Sequence, residues 1–192
     1  MARTKEFDPD AVLQRALELF WQKGYEATSM ADLVEHLGIA RASIYATYGG
    51  KRDLYAKALD RYLENGIDFV GLMSQPGPVL PAIRALVGRF AEEAGRDTAK
   101  RGCFLVNTAV EMSAHDAGLA HKVASTWDVI EAALLSGLTR AQAQGEIPPD
   151  RDPRAIARFL LTVLQGMRVM GKASADPARM RATAEQTLSV LV

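Results

Sequence analysis

The chain has 192 residues, a single cysteine and a formal charge of zero, with 23 basic residues balancing 23 acidic ones. This length allows one large domain or two small ones around a proper core. The even charge excludes a bulk polyanion binder, so any nucleic-acid contact must come from a local cluster of cations, and the lone cysteine excludes an internal disulfide and fits a reducing compartment.

Leu and Ala are frequent and β-branched runs are nearly absent, which favours an all-α fold. The opening segment M-A-R-T-K-E-F-D-P lacks the apolar core of a signal peptide. The longest apolar segments, such as Phe159 to Leu164, fall far short of the ~20 residues a membrane span needs. A cytoplasmic protein with no membrane partner is expected.

Arg3 and Lys5 form a short basic arm. Asp8-Pro9 then opens the first helix, Asp as the cap and Pro at the first helical position, where its missing N–H has no intrahelical partner to lose. Leu13, Ala16, Leu17 and Phe20 give that helix an apolar face, and Gly24 stops it. From Met30, the residues Met30, Leu33, Val34 and Leu37 fall at i, i+3, i+4 and i+7, the spacing of one helical face. Ser29 stands where an N-cap belongs, and Gly38 can take the left-handed conformation that ends a helix. A second short helix follows at once, Ile39 to Tyr48, with Ile39 and Ile44 inward and Arg41, Ala42, Ser43, Tyr45 and Thr47 on or near the outer side. Helix, tight glycine turn and short displayed helix make the layout of a helix-turn-helix, whose second helix fits the major groove of B-DNA.

Gly49-Gly50 breaks the chain, and Lys51 begins a fourth helix expected over 51–73, with Tyr55, Ala58, Leu59 and Tyr62 inside. Gly66, Gly71 and Gln75-Pro76-Gly77-Pro78 interrupt or end it. A fifth helix is expected over 79–94 (Ile83, Leu86, Val87, Phe90), and a short buried one over 103–112. A long amphipathic helix should cover 117–144, carrying Val123, Trp127, Ile130, Leu134 and Leu138. Asp152-Pro153 and Asp176-Pro177 open two more. Apolar residues Ile156, Phe159, Leu160, Val163, Met167 and Met170 line the former, and Met180, Leu188 and Leu191 the latter. The expected division is a head at 1–50 and a body at 51–192.

Order, spacing and residue type agree together in A-L-E-L-F-W-Q-K-G-Y-E-A-T-S-M-A-D-L-V, in L-G-I-A-R-A-S-I-Y-A-T-Y and in G-K-R-D-L-Y. Residues 8–63 thereby resemble the N-terminal DNA-binding domain of the TetR family of transcriptional repressors. The resemblance implies a three-helix head joined by the fourth helix to a helical body that binds an effector and dimerises. It further implies a double-stranded, palindromic DNA operator, a small-molecule effector, and a homodimer through the last two long helices.

Arg41 is the candidate base reader, since its planar fork can donate twice to guanine O6 and N7. Ala42 and Tyr45 flank it and could touch thymine methyls or sugar edges, although Tyr45 and Tyr48 could equally pack inside the head. Matched to the family motif, Thr28, Ser43, Thr47, Tyr48 and Lys51 fall where phosphate is usually engaged. Thr28 or Ser29 could also aim a helix N-terminus at phosphate. Gly49-Gly50 departs from the family pattern, which places a polar cap just before the Lys.

In the body, Phe104, Met112, Trp127, Met167 and Met170 could line an apolar cavity, with Asn107 and Thr108 as polar contacts; the alternative is that they are core residues at helical spacing. The segment around Cys103 resembles the Gly-Cys-x-x-x-Asn opening of the sixth helix in a TetR branch that includes electrophile-sensing repressors. A redox- or electrophile-sensing repressor acting through Cys103 is therefore an alternative. So is a helical interaction module that never touches DNA. His115, Asp116 and His121 have neither metal-ligand nor nucleophile spacing, and no phosphate-cradling loop is present, so no enzyme, cofactor or metal is expected.

Overall fold

The computed structural model describes residues 7–191, so the basic arm of Arg3 and Lys5 lies outside the described residues. These residues form α1 (Pro9–Lys23), α2 (Met30–Leu37), α3 (Arg41–Tyr48), α4 (Lys51–Glu64) and α5 (Phe69–Ser74). They continue with α6 (Leu80–Gly95), α7 (Phe104–Met112), α8 (Ala117–Ala143), α9 (Pro153–Ala173) and α10 (Pro177–Ser189). The architecture is all-α, as composition and periodicity indicated. No helix among the described residues is long and apolar enough to cross a membrane.

The helices begin where the capping residues require. Asp8, Asp152 and Asp176 each accept a backbone N–H of the first turn that they precede, with Pro at the next position each time. The stretch expected as one helix over 51–73 is instead two. Asn65 ends α4, and the Asp68 side chain accepts the N–H of Gly71 to start α5. A residue that can cap a new helix competes with continuing the old one, and next to Asn65-Gly66 the cap prevails.

The chain forms two compact units. The first reaches to Ile67 and takes in Asn107–Ala120; the second comprises Asp68–Val106 and the chain from His121 onward. In the first, α1 packs on α2 and α4, and α3 on α4. Val12, Ala16, Leu17 and Phe20 of α1 are buried, with Leu33 and Leu37 of α2, Ile44 of α3, and Leu54, Tyr55, Ala58 and Leu59 of α4. Each such large side chain contributes about 1.5–3 kcal/mol when fully buried. Salt bridges tie the periphery, Lys23 Nζ to Asp32 at 2.7 Å and Arg61 to Asp10 at 2.6 Å.

In the second unit α6 packs against both α9 and α10. The Glu146 carboxylate accepts the N–H groups of Val79 and Leu80 at 2.8 and 3.0 Å, closing the α6 N-terminus where no side chain of Val79 can. Helices α6 and α9 meet at Gly171: a Cβ placed there would lie 2.5 Å from the Ala94 carbonyl oxygen and 2.8 Å from its Cα. Backbone cannot rotate away as a side chain can. Gly171→Ala is therefore expected to lower unfolding stability by ~1–3 kcal/mol, against the normal gain for Ala in a helix. Gly88→Ala, whose Cβ would meet nothing within 4 Å, should instead gain about 0.5–1 kcal/mol. Paired urea titrations of the two variants check this.

The apolar residues of α9, expected along one face, divide between two once Leu164 and Val169 are counted with them. Ile156, Leu160, Leu164 and Met167 are buried, whereas Phe159, Val169 and Met170 are 40%, 50% and 46% exposed. This helix is apolar on both sides.

Candidate nucleic-acid interface

Helix α2 starts on a reciprocal capping box. The Ser29 hydroxyl accepts the N–H of Asp32 at 3.1 Å, and the Asp32 carboxylate accepts the N–H of Ser29 at 2.7 Å. Lys23 and the Ser29 hydroxyl hold the Asp32 carboxyl well below its ordinary range. Gly38 ends α2 in the left-handed region, with φ +65°. Helix α3 then leaves from Ala40, which offers no capping side chain. Ile44 is fully buried and Tyr48 nearly so, and the Tyr48 hydroxyl donates to the carbonyl of Pro9 at 2.7 Å. Two anchors one turn apart fix the rotation of α3 about its axis.

That rotation leaves Arg41, Ala42 and Tyr45 exposed and Ser43 and Thr47 half-exposed. The Arg41 guanidinium lies 5.8 Å from the centroid of the Tyr45 ring, one helical turn on, in cation–π geometry. Among the described residues neither Arg41 nor Lys51 is ion-paired. The Lys51 ammonium sits 4.1 Å above the Tyr25 ring.

Two of the expected phosphate contacts are buried and their hydroxyls engaged within the chain. Thr28 is fully buried and its hydroxyl donates to the carbonyl of Gly24; Tyr48 is spent on Pro9 as described. Both serve the frame of the head rather than its surface. Ser29 remains exposed, with its hydroxyl engaged by Asp32.

The Gly49-Gly50 departure from the family pattern has a geometric reason. Gly50 stands at φ +134° and ψ −175°, a conformation open essentially to glycine. A Cβ there would sit 3.3 Å from Cε1 of Tyr45. The missing side chain lets the Tyr45 ring lie beside the turn.

Around this face the charges are arranged by long-range partners that local patterns do not show. Arg52 donates from Nε to Asp116 at 2.7 Å and also pairs with Asp53 at 3.1 Å. That pairing lowers the Asp116 carboxyl to about 2. The Tyr55 hydroxyl meets the Thr108 hydroxyl at 3.0 Å, and burial pushes the Tyr55 phenol up to about 12. Glu111 accepts the N–H groups of Tyr25 at 2.9 Å and Glu26 at 2.8 Å.

The residues expected to line an effector cavity are distributed over both units. Asn107, Thr108 and Met112 belong to the first; Cys103, Phe104, Trp127, Met167 and Met170 belong to the second. Phe104, Thr108, Met112 and Met167 are buried, and Cys103 is half-buried immediately before α7. Met170 is nearly half exposed and shares the outer face of α9 with Phe159 and Val169. In the second unit the buried Trp127 Nε1 donor and the buried Gln165 Oε1 acceptor have no hydrogen-bond partner among the described residues. Orphaned buried polar atoms cost stability and need a reason. Gln165 was not singled out from sequence, because an amide amid an apolar run gives no local signal. No group of three potential metal ligands exists among the described residues.

Two family profiles match the chain. Residues 12–58 match bacterial regulatory proteins of the tetR family, and residues 79–187 match the tetracyclin repressor-like C-terminal domain. The uncharacterized HTH-type transcriptional regulator YezE of Bacillus subtilis is 39% identical over 193 residues, covering all of both chains. The HTH-type transcriptional repressor ComR of Escherichia coli is 36% identical, across 97% of this chain and 90% of its own. Among solved structures, a cysteine mutant of the TetR family regulator CifR, complexed with 26-bp double-strand operator DNA, superposes with a TM-score of 0.86. It is 27% identical and covers 100% of both chains.

Proposed function

Because this chain belongs to the TetR family of bacterial transcriptional regulators, and none of the relatives named above is an enzyme, we propose that it works as a homodimeric repressor. Each copy lays α3 into the major groove of one half of a palindromic operator, with Arg41 reading a guanine. The observation that carries this reading is the open face of α3. Arg41 and Tyr45 are displayed there, while Ile44 and the Tyr48–Pro9 hydrogen bond fix how the helix is turned. ComR is named a repressor and CifR was solved on operator DNA, which supports repression by direct binding. Such a protein acts in the cytoplasm.

Lys51, Ser43 and Thr47 contact phosphate, and Ala42 and Tyr45 meet sugar or thymine methyl. Phosphate contacts set register while Arg41 sets sequence. A small molecule releases the operator after binding in the second unit. There Trp127 Nε1 and Gln165 Oε1 supply a donor and an acceptor unused among the described residues, and Phe104 and Met167 are buried apolar residues of the same unit. The exposed apolar side of α9 supports dimerisation.

Selection from a random duplex pool, followed by sequencing of the retained duplexes, tests the reading. Wild type should enrich a palindrome; failure to retain any duplex rejects DNA binding in favour of a protein-binding helical module. Lys51→Ala should weaken binding to every duplex alike and reduce the slope of log affinity against log salt by about two per dimer. An unchanged slope removes Lys51 from the phosphate contacts.

A further inference from the structure

We propose that Glu111 on α7 is a positioning residue for DNA binding, holding the α1–α2 turn so that Tyr25 keeps the Lys51 ammonium in place for phosphate. The inference rests on the reading of this head as a DNA-binding domain. Its geometry is specific. One carboxylate accepts two successive backbone N–H groups, Tyr25 at 2.9 Å and Glu26 at 2.8 Å, across more than eighty residues of sequence. Gly24 makes room for it: a Cβ there would stand 3.0 Å from Glu111 Oε1. An anionic acceptor on two aligned amides is the strong form of hydrogen bond and fixes the turn in orientation as well as position.

What the turn carries decides why this matters. The Tyr25 ring packs edge-on against Tyr55, with centroids 5.1 Å apart, and its face lies 4.1 Å under the Lys51 ammonium. Helix α7 and the residues after it grip this cluster at three points. Thr108 meets the Tyr55 hydroxyl, Glu111 holds the Tyr25 amide, and Asp116 pairs with Arg52, the neighbour of Lys51. Every one of these contacts lies within the first unit. Helix α7 itself begins in the second unit, with Phe104, Leu105 and Val106.

The test is operator affinity and its salt dependence for Glu111→Ala, Lys51→Ala and the double variant, on the duplex that wild type selects. Glu111→Ala should weaken binding about tenfold, within the range of ordinary coupling between sites. It should also reduce the salt slope as Lys51→Ala does, and add no further loss in the Lys51→Ala background. Amide exchange at Tyr25 and Glu26 should accelerate. Glu111→Gln, which keeps one acceptor oxygen, should fall between wild type and Glu111→Ala, and the same cycle run with it decides the matter should Glu111→Ala not fold. Wild-type affinity in Glu111→Ala, or losses that simply multiply with those of Lys51→Ala, overturns the positioning role. A wild type that retains no duplex overturns the DNA-binding reading, and this inference with it.

Discussion

Arg41→Ala is expected to leave a folded dimer that binds DNA but no longer prefers its operator. Arg41 is exposed at the first position of α3 and, among the described residues, makes no ion pair. Its guanidinium approaches the Tyr45 ring at 5.8 Å, a surface contact, so the fold loses little when it is removed. The operator loses more. A bidentate Arg–guanine contact is worth about 1–3 kcal/mol of discrimination. A twofold dimer makes the contact twice, so preference should fall by roughly 30-fold to 10⁴-fold. Nonspecific affinity, which comes from phosphate neutralisation, should fall far less. Arg41→Lys should restore only part of the preference, because a flexible ammonium can reach O6 and N7 but lacks the rigid planar fork that fits both. Competition of operator against random duplex at fixed salt measures the ratio. Equal ratios for wild type and Arg41→Ala would transfer the reading role to another residue of α3.

Much of the head was legible because its rules are local. The Asp8-Pro9 cap, the Ser29 start and the Gly38 stop each involve neighbours within four residues, as do the Asp-Pro caps at 152 and 176 in the second unit. Sequence periodicity therefore placed α1 and α2 and the buried face of Ile44, whereas α3, expected from Ile39, begins at Arg41 after Ala40 and leaves Ile39 half-buried outside it. What was not legible lies where distance in the chain decides. Thr28 and Tyr48 have chemistry suited to phosphate, but burial against Gly24 and Pro9 consumes both hydroxyls, and burial is a tertiary property. The grips of Glu111 and Asp116 on the head join residues more than sixty positions apart. A lone carboxylate on a helix says nothing of the amides it will meet. Gly50 is the reverse case: a departure from the family's polar cap, it is required by φ +134° and leaves room for the Tyr45 ring beside it.

Phe159→Glu is expected to convert the protein to a monomer and abolish tight operator binding while its helices stay intact. The argument begins with the two-sided character of α9. Its inner side, Ile156, Leu160, Leu164 and Met167, is buried, and α9 packs on α6. Its outer side shows Phe159, Val169 and Met170 at 40–50% exposure, and Gly166 between them opens onto free space, with nothing within 4 Å of a Cβ. Positions 159, 166 and 170 recur at helical spacing, so they form one stripe. Exposed apolar stripes of this kind mark interaction surfaces, and a bare glycine in the stripe allows another helix to approach closely. In a twofold dimer the stripe meets its own copy. A carboxylate at 159 would then be buried without a partner in each copy, at a cost of about 3–5 kcal/mol apiece. In the single chain Phe159 is partly solvated, so folding of the monomer tolerates the change. Loss of the second head removes the gain from simultaneous engagement, commonly 10²–10⁴-fold. Sedimentation equilibrium, circular dichroism and operator titration on one preparation separate these effects. A Phe159→Glu protein that remains dimeric and binds its operator as wild type does would place the interface on another surface.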